Sequence, residues 1–159
     1  MKHRLFVADN IEPLASGKLL CVGLFPDQSL VLRTRNEAPP PSAEEPFAVN
    51  LTLMLCFTEL DGARLAGSVS VQSPIESVQT FGVNFDMPVA PGAPARNVIV
   101  PLRPLLVPAG GVYTVLIHAN GQNFTDSFTV RVEPPTGKGA PREAATAKKR
   151  ARRRPSSKA

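Results

Sequence analysis

Apolar residues recur at every second position from residue 47 to residue 58, and this pattern constrains the fold more than any other feature of the chain. Phe47, Val49, Leu51, Leu53, Leu55 and Phe57 fall on one face, and Ala48, Asn50, Thr52, Met54, Cys56 and Thr58 on the other. A helix would scatter the six large residues around its circumference, whereas a strand lines them all on one core-facing side. The same period returns in Leu65, Gly67, Val69 and Val71 against Ala66, Ser68, Ser70 and Gln72, after a turn signal at Asp61 and Gly62. The two segments read as a hairpin.

Further strands are expected around Phe81, Val83, Phe85 and Met87, around Val98, Val100 and Leu102, over residues 112–118, and over residues 124–132. In the last of these Phe128, Val130 and Val132 point inward, and Thr129, Arg131 and Glu133 outward. Asn120 and Gly121 lie between the final two strands, and both tolerate the positive φ that tight two-residue hairpin turns require. Upstream, residues 4–8, 18–24 and 29–33 carry the same signature, for about eight strands in all. Prolines 26, 39–41, 74, 88, 91, 94, 104 and 108 stand where joints are expected, and helical periodicity is nowhere sustained. Short strands separated by frequent turn signals predict an all-β fold, a single immunoglobulin-like β-sandwich. Tyr113, the only tyrosine, opens the penultimate strand of the closing hairpin. There its hydroxyl could tie back to the preceding loop, or the ring could simply be half-buried.

The strand pattern stops near Pro134, where the charge changes character. The chain has 18 Lys and Arg against 13 Asp and Glu. Residues 134–159 hold nine of those cations and a single acid, Glu143, which makes this segment +8. Residues 1–133 keep nine basic and twelve acidic residues, a body of net −3. A body of this length builds one core and is too short for two ordinary domains. The expected organisation is a β-sandwich over residues 1–133 followed by a disordered, Pro/Ala/Lys/Arg-rich tail over residues 134–159.

The segments Leu5-Phe-Val-Ala-Asp9, Ser16-Gly17-Lys18-Leu19 and Cys21-Val-Gly23-Leu-Phe25, followed by the Gly111-Val-Tyr113 hairpin, resemble a poorly characterised bacterial and phage family. Its members are small cytosolic β-sandwich proteins that begin with an apolar strand ending in an acid, then a Gly-Lys pair and a second strand ending in Gly. The likeness spans roughly residues 4–133 and implies the sandwich fold. The family brings no established activity with it, and the basic tail lies outside it.

The body is poor in the convergent titratable groups that catalysis needs. His3 and His118 lack a metal-binding partner at His-x-x-x-His spacing, and Cys21 and Cys56 form no Cys-x-x-Cys pair. His118 alternates with Thr114 and Leu116 and reads as a half-buried strand residue. Neither cysteine has an adjacent cation to activate its thiol. Asp9, Glu12, Asp27, Glu59, Asp61 and Asp126 could gather at one end of a sandwich, yet none has the dense Asp/Asn spacing of a calcium loop. No catalytic residues, metal or cofactor are expected, and the chain reads as a non-enzyme. Two thiols without a secretion signal point to a reducing, cytoplasmic setting, with an inter-sheet disulfide as the alternative. No apolar run is long enough for a membrane-spanning helix, so integral membrane association is not expected.

One segment carries functional specificity: Lys148, Lys149, Arg150, Arg152, Arg153 and Arg154, six cations in seven residues. Mutual repulsion keeps such a run open, and a polyanion relieves it. Nucleic acid through counterion release and an anionic membrane surface both qualify as partners. No aromatic residue occurs in the tail, so binding would be independent of sequence. In a eukaryotic setting the same run matches a nuclear import signal and would make the protein nuclear. The expected function is a non-catalytic binding or structural module attached to nucleic acid by its tail. The alternative is oligomeric, phage-type assembly through protein contacts or self-association of the sandwich, with the tail only solubilising. For that alternative the outward Met54 and Cys56 are informative. The Pro-rich loop over residues 38–46 is expected to cover them, or else a partner does.

Overall fold

The structure, a computed structural model, describes residues 1–16, 18–33, 39–75 and 79–133. They form nine strands: β1 (Lys2–Pro13), β2 (Leu19–Leu24), β3 (Ser29–Arg33), β4 (Phe47–Thr58), β5 (Arg64–Gln72), β6 (Gln79–Pro88), β7 (Ala95–Val107), β8 (Gly111–Ala119) and β9 (Gln122–Glu133). The protein is all-β, as its alternating pattern requires. One sheet has the order β2-β1-β4-β7 and the other β3-β9-β8-β5-β6. All pairings are antiparallel except β3 with β9.

Each sheet turns one face to a shared core, and β4 anchors it. Leu51, Leu53, Leu55 and Phe57 are fully buried and meet Leu65, Val69 and Val71 of β5 and Tyr113, Val115 and Ile117 of β8. Leu5 and Val7 of β1, Val98, Val100 and Leu102 of β7, and Phe128 and Val130 of β9 complete the layer. At roughly 1.5 to 3 kcal/mol for each large side chain taken out of water, this single layer is the main force holding the sheets together.

Two expectations need correction. Asp61 and Gly62 do not close a hairpin, because β4 and β5 lie in opposite sheets. Five residues separate the strands, with positive φ at Glu59 (53°) and Gly62 (107°) rather than at adjacent positions. A tight turn would have kept both strands in one sheet; the longer link crosses the sandwich and lets their apolar faces meet. The strand around Val98 is also longer than its pattern suggested, running through Pro101 and Pro104 to Val107. Proline is tolerated there because β7 is a sheet edge. Between Val49 and Leu51 the register against β7 shifts from Leu105 to Leu102, so a bulge absorbs the extra residue.

The closing hairpin behaves as its turn residues dictate. Ala119 pairs with Gln122, leaving a two-residue loop, and Asn120 and Gly121 adopt φ of 46° and 80°. Asn120 also extends the β5–β8 ladder past its last regular pair. Its N–H donates to Ala66 O, its Oδ1 accepts from Ala66 N–H, and its Nδ2 donates to Arg64 O, each at 2.9 Å. Beside it, Gly67 is required by close backbone approach, since a Cβ there would stand 1.9 Å from the His118 carbonyl oxygen. At the other end of β8, the fully buried Tyr113 donates its hydroxyl to Ala109 O at 2.9 Å and stacks on Phe128.

Candidate functional site

The six cations at Lys148, Lys149, Arg150, Arg152, Arg153 and Arg154 lie outside the described residues. The structure does fix where the chain departs toward them. β9 ends at Glu133, which pairs in register with Arg33 of the edge strand β3 and accepts a hydrogen bond from its Nε at 3.1 Å.

Within the sandwich, the arrangement most like a reactive site joins two residues that sequence spacing gave no reason to link. His3 on β1 and Asp126 on β9 belong to opposite sheets, and His3 Nε2 lies 2.7 Å from Asp126 Oδ2. The imidazole is 15% exposed and packs on Phe124, with ring centroids 4.5 Å apart. The pair sits at an open cleft of about 330 Å³ lined by His3, Arg4, Leu5, Phe6, Gln28 and Asp126. Gln28, at φ 50°, reaches across to donate to Leu5 O. The carboxylate can orient the imidazole, as in acid–base couples, but the lining carries no hydroxyl or thiol for it to activate. Its evident action is a tie across the open side of the sandwich. Only the fold, which brings residues 3 and 126 together, discloses it.

His118 is exposed rather than half-buried as its alternation suggested. It lies on the outer face of β8, in register with Ser68 and Asn123, whose small side chains do not cover it. With Ser70, Leu116 and Thr125 these residues line a shallow depression of about 200 Å³. The acids considered for a calcium loop are dispersed. Asp126 faces His3, Glu59 accepts from Lys2 Nζ at 2.5 Å, and Glu12 accepts from Asn10 Nδ2 at 2.6 Å. The Lys2 contact holds the Glu59 carboxyl below its usual range. Among the described residues no three of His, Cys, Asp and Glu come together in a way that could hold a metal ion.

The two cysteines are free, and both belong to the four-stranded sheet, on β2 and β4, so an inter-sheet disulfide is ruled out. Cys56 is half-buried and Cys21 exposed. Residues 39–46, the described part of the Pro-rich loop, are themselves mostly exposed. No helix among the described residues is long and apolar enough to cross a membrane. No protein-family model matches the chain, and no curated protein matches it either.

Proposed function

We propose that this protein is a non-catalytic, immunoglobulin-like β-sandwich that works by binding, attached to nucleic acid through its basic tail without sequence specificity. The observation that carries the reading is the partition of charge: +8 over residues 134–159 against −3 over residues 1–133. A mildly acidic body does not compete with the tail for a polyanion, and repulsion of the body from phosphate leaves the tail as the attachment point. Two features support the immunoglobulin-like description. β1, β4 and β7 follow the order of strands A, B and E, while β9, β8 and β5 follow G, F and C, with β6 beside them as in variable-type domains. Tyr113 ties its hydroxyl back to Ala109, the hydrogen bond such domains use at the same corner. Two free thiols accord with a reducing cytoplasm, and with the bacterial and phage family that the N-terminal segments resemble.

Four to six phosphate contacts at a log–log salt slope of about 0.7 to 0.9 each give a total slope of about 3 to 5. Raising salt fourfold should then weaken binding roughly 50- to 1,000-fold. Fluorescence titration of duplex DNA, single-stranded RNA and anionic vesicles with full-length protein and with a chain ending at Glu133 tests the reading. Binding by full-length protein alone supports it, and binding that survives in the shortened chain refutes it.

A second reading, assembly through protein contacts, is favoured by a different observation: apolar side chains exposed on the outer side of the four-stranded sheet.

A further inference from the structure

Four strands stand at sheet edges, and three of them are protected against pairing with another chain. β7 carries Pro101 and Pro104 together with Arg96 and Arg103; β6 carries Asn84, Asp86 and Pro88; β3 ends in Arg33. Prolines and charges are the usual means of blunting an edge. β2 has neither. Its six residues, Leu19-Leu-Cys-Val-Gly-Leu24, are uncharged, and five of the six are exposed.

The apolar side chains of β2 also lie on a definite face. By register Leu24, Val22 and Leu20 stand beside Ala8, Asn10 and Glu12, and Ala8 continues to Thr52 and Pro101. The adjoining row is Phe6, Met54 and Ile99. Leu20, Val22 and Leu24 are 45%, 50% and 47% exposed. The outer face of the five-stranded sheet presents Ser68, Ser70, His118, Asn123 and Thr125, with Val31 and Val112 exposed as separate single positions, whereas Leu20, Val22 and Leu24 form a continuous row. Residues 134–159 contain no Leu, Ile, Val, Met, Phe or Tyr with which to cover the apolar side.

We infer that β2 pairs with β2 of a second copy of this chain, antiparallel about a two-fold axis at Val22. The inference deepens the assembly reading and rests on it. The spacing Leu20-x-Val22-x-Leu24 is its own complement: Val22 faces Val22 of the second copy, and each Leu20 faces a Leu24. Directly opposed side chains share a face in an antiparallel pair, so the apolar rows of the two copies become continuous. The same register brings Lys18 of each copy to the end where Asp27 of the other lies, giving two opposite-charge contacts and no like-charge one. Gly23, at φ 62°, departs from extended backbone, and Leu24 beyond it is nonetheless in register with Ala8. The pairing converts two four-stranded sheets into one of eight strands, an isologous dimer with a tail on each copy. A strand of six residues is only about 20 Å long, so the interface is at the small end and the dimer reversible.

Sedimentation equilibrium of nuclease-treated full-length protein at high salt, where tail-bound polyanion cannot bridge copies, should show mass rising from monomer to dimer with concentration. Val22→Lys sets two cations directly opposite each other and should weaken dimerisation at least tenfold, with the circular dichroism spectrum unchanged. Independently, Val22→Cys in a Cys21→Ser, Cys56→Ser background should form an intermolecular disulfide with oxidised glutathione, because paired strands hold opposed Cα atoms within disulfide reach. A dimer that survives Val22→Lys, with no crosslink through Val22→Cys, overturns this interface while leaving assembly standing. A monomer at every concentration overturns both.

Discussion

Asn120 concentrates three separable contributions in one residue of the closing hairpin, and substitutions can take them apart. It holds φ at 46°, accepts a hydrogen bond from Ala66 N–H and donates one to Arg64 O. Both side-chain hydrogen bonds are solvent-exposed, so the groups left behind can turn to water, and each bond is worth about 0.5 to 1.5 kcal/mol net. Asn120→Gly keeps the left-handed conformation at no steric cost and loses both bonds, for an expected destabilisation of about 1 to 3 kcal/mol. Asn120→Ala loses the same bonds and adds about 1 to 2 kcal/mol for a Cβ in the left-handed region. Asn120→Asp retains the acceptor for Ala66 and should cost least. Urea unfolding followed by far-ultraviolet circular dichroism measures all three, with a lowered midpoint at unchanged slope. The order Asp, Gly, Ala in rising cost is expected. If Asn120→Gly matched the wild type within about 0.3 kcal/mol, the side-chain bridge to β5 would contribute nothing and the reasoning would fail.

Two further perturbations test the packing. Burial pushes the Tyr113 phenol up to about 12 from an ordinary value of 10.0. The folded chain therefore holds its proton more tightly than the unfolded one. Its stability contribution should be whole below pH 10 and fall as pH rises through 12, by about 2 to 3 kcal/mol. Alkaline unfolding that Tyr113→Phe makes less steep over this window would bear this out; an identical pH dependence would contradict it. Thr52 is 1% exposed and its Oγ1 has no hydrogen-bond partner. Replacing a stranded hydroxyl by a methyl of the same shape should raise stability by about 1 to 2 kcal/mol in Thr52→Val, read as a higher thermal midpoint. A lower midpoint would show that the hydroxyl is satisfied.

Much of the sandwich was legible because its chemistry is local. The period of two places Leu51, Leu53, Leu55 and Phe57 on the core side of β4, and Asn120-Gly121 specifies a two-residue turn wherever it occurs. What failed was pairing between elements. Whether Asp61-Gly62 closes a hairpin or starts a crossing depends on which face of β5 must meet β4, and a turn dipeptide does not encode that. Pro104 looked like a joint because the cost of proline in a strand vanishes only at an edge, and edge position is a property of the sheet. The burial of Thr52 follows from the same cause, since its alternation assigned it to the outer face but the sheet's neighbours cover it. The link between His3 and Asp126 spans nearly the whole described chain and had no signature in spacing. The exposed β2 edge was half visible: its lack of charge can be read directly, whereas its place at the end of a sheet cannot.

The most direct test of the account replaces Lys148, Lys149, Arg150, Arg152, Arg153 and Arg154 together by Gln in the full-length chain. Affinity for a fluorescent duplex is then measured over a fourfold range of salt. The wild type should bind with a log–log slope of about −3 to −5, and the variant should lose both the binding and the slope. Equal affinity and slope in the two proteins would contradict this, and would move the binding surface from the tail to the sandwich.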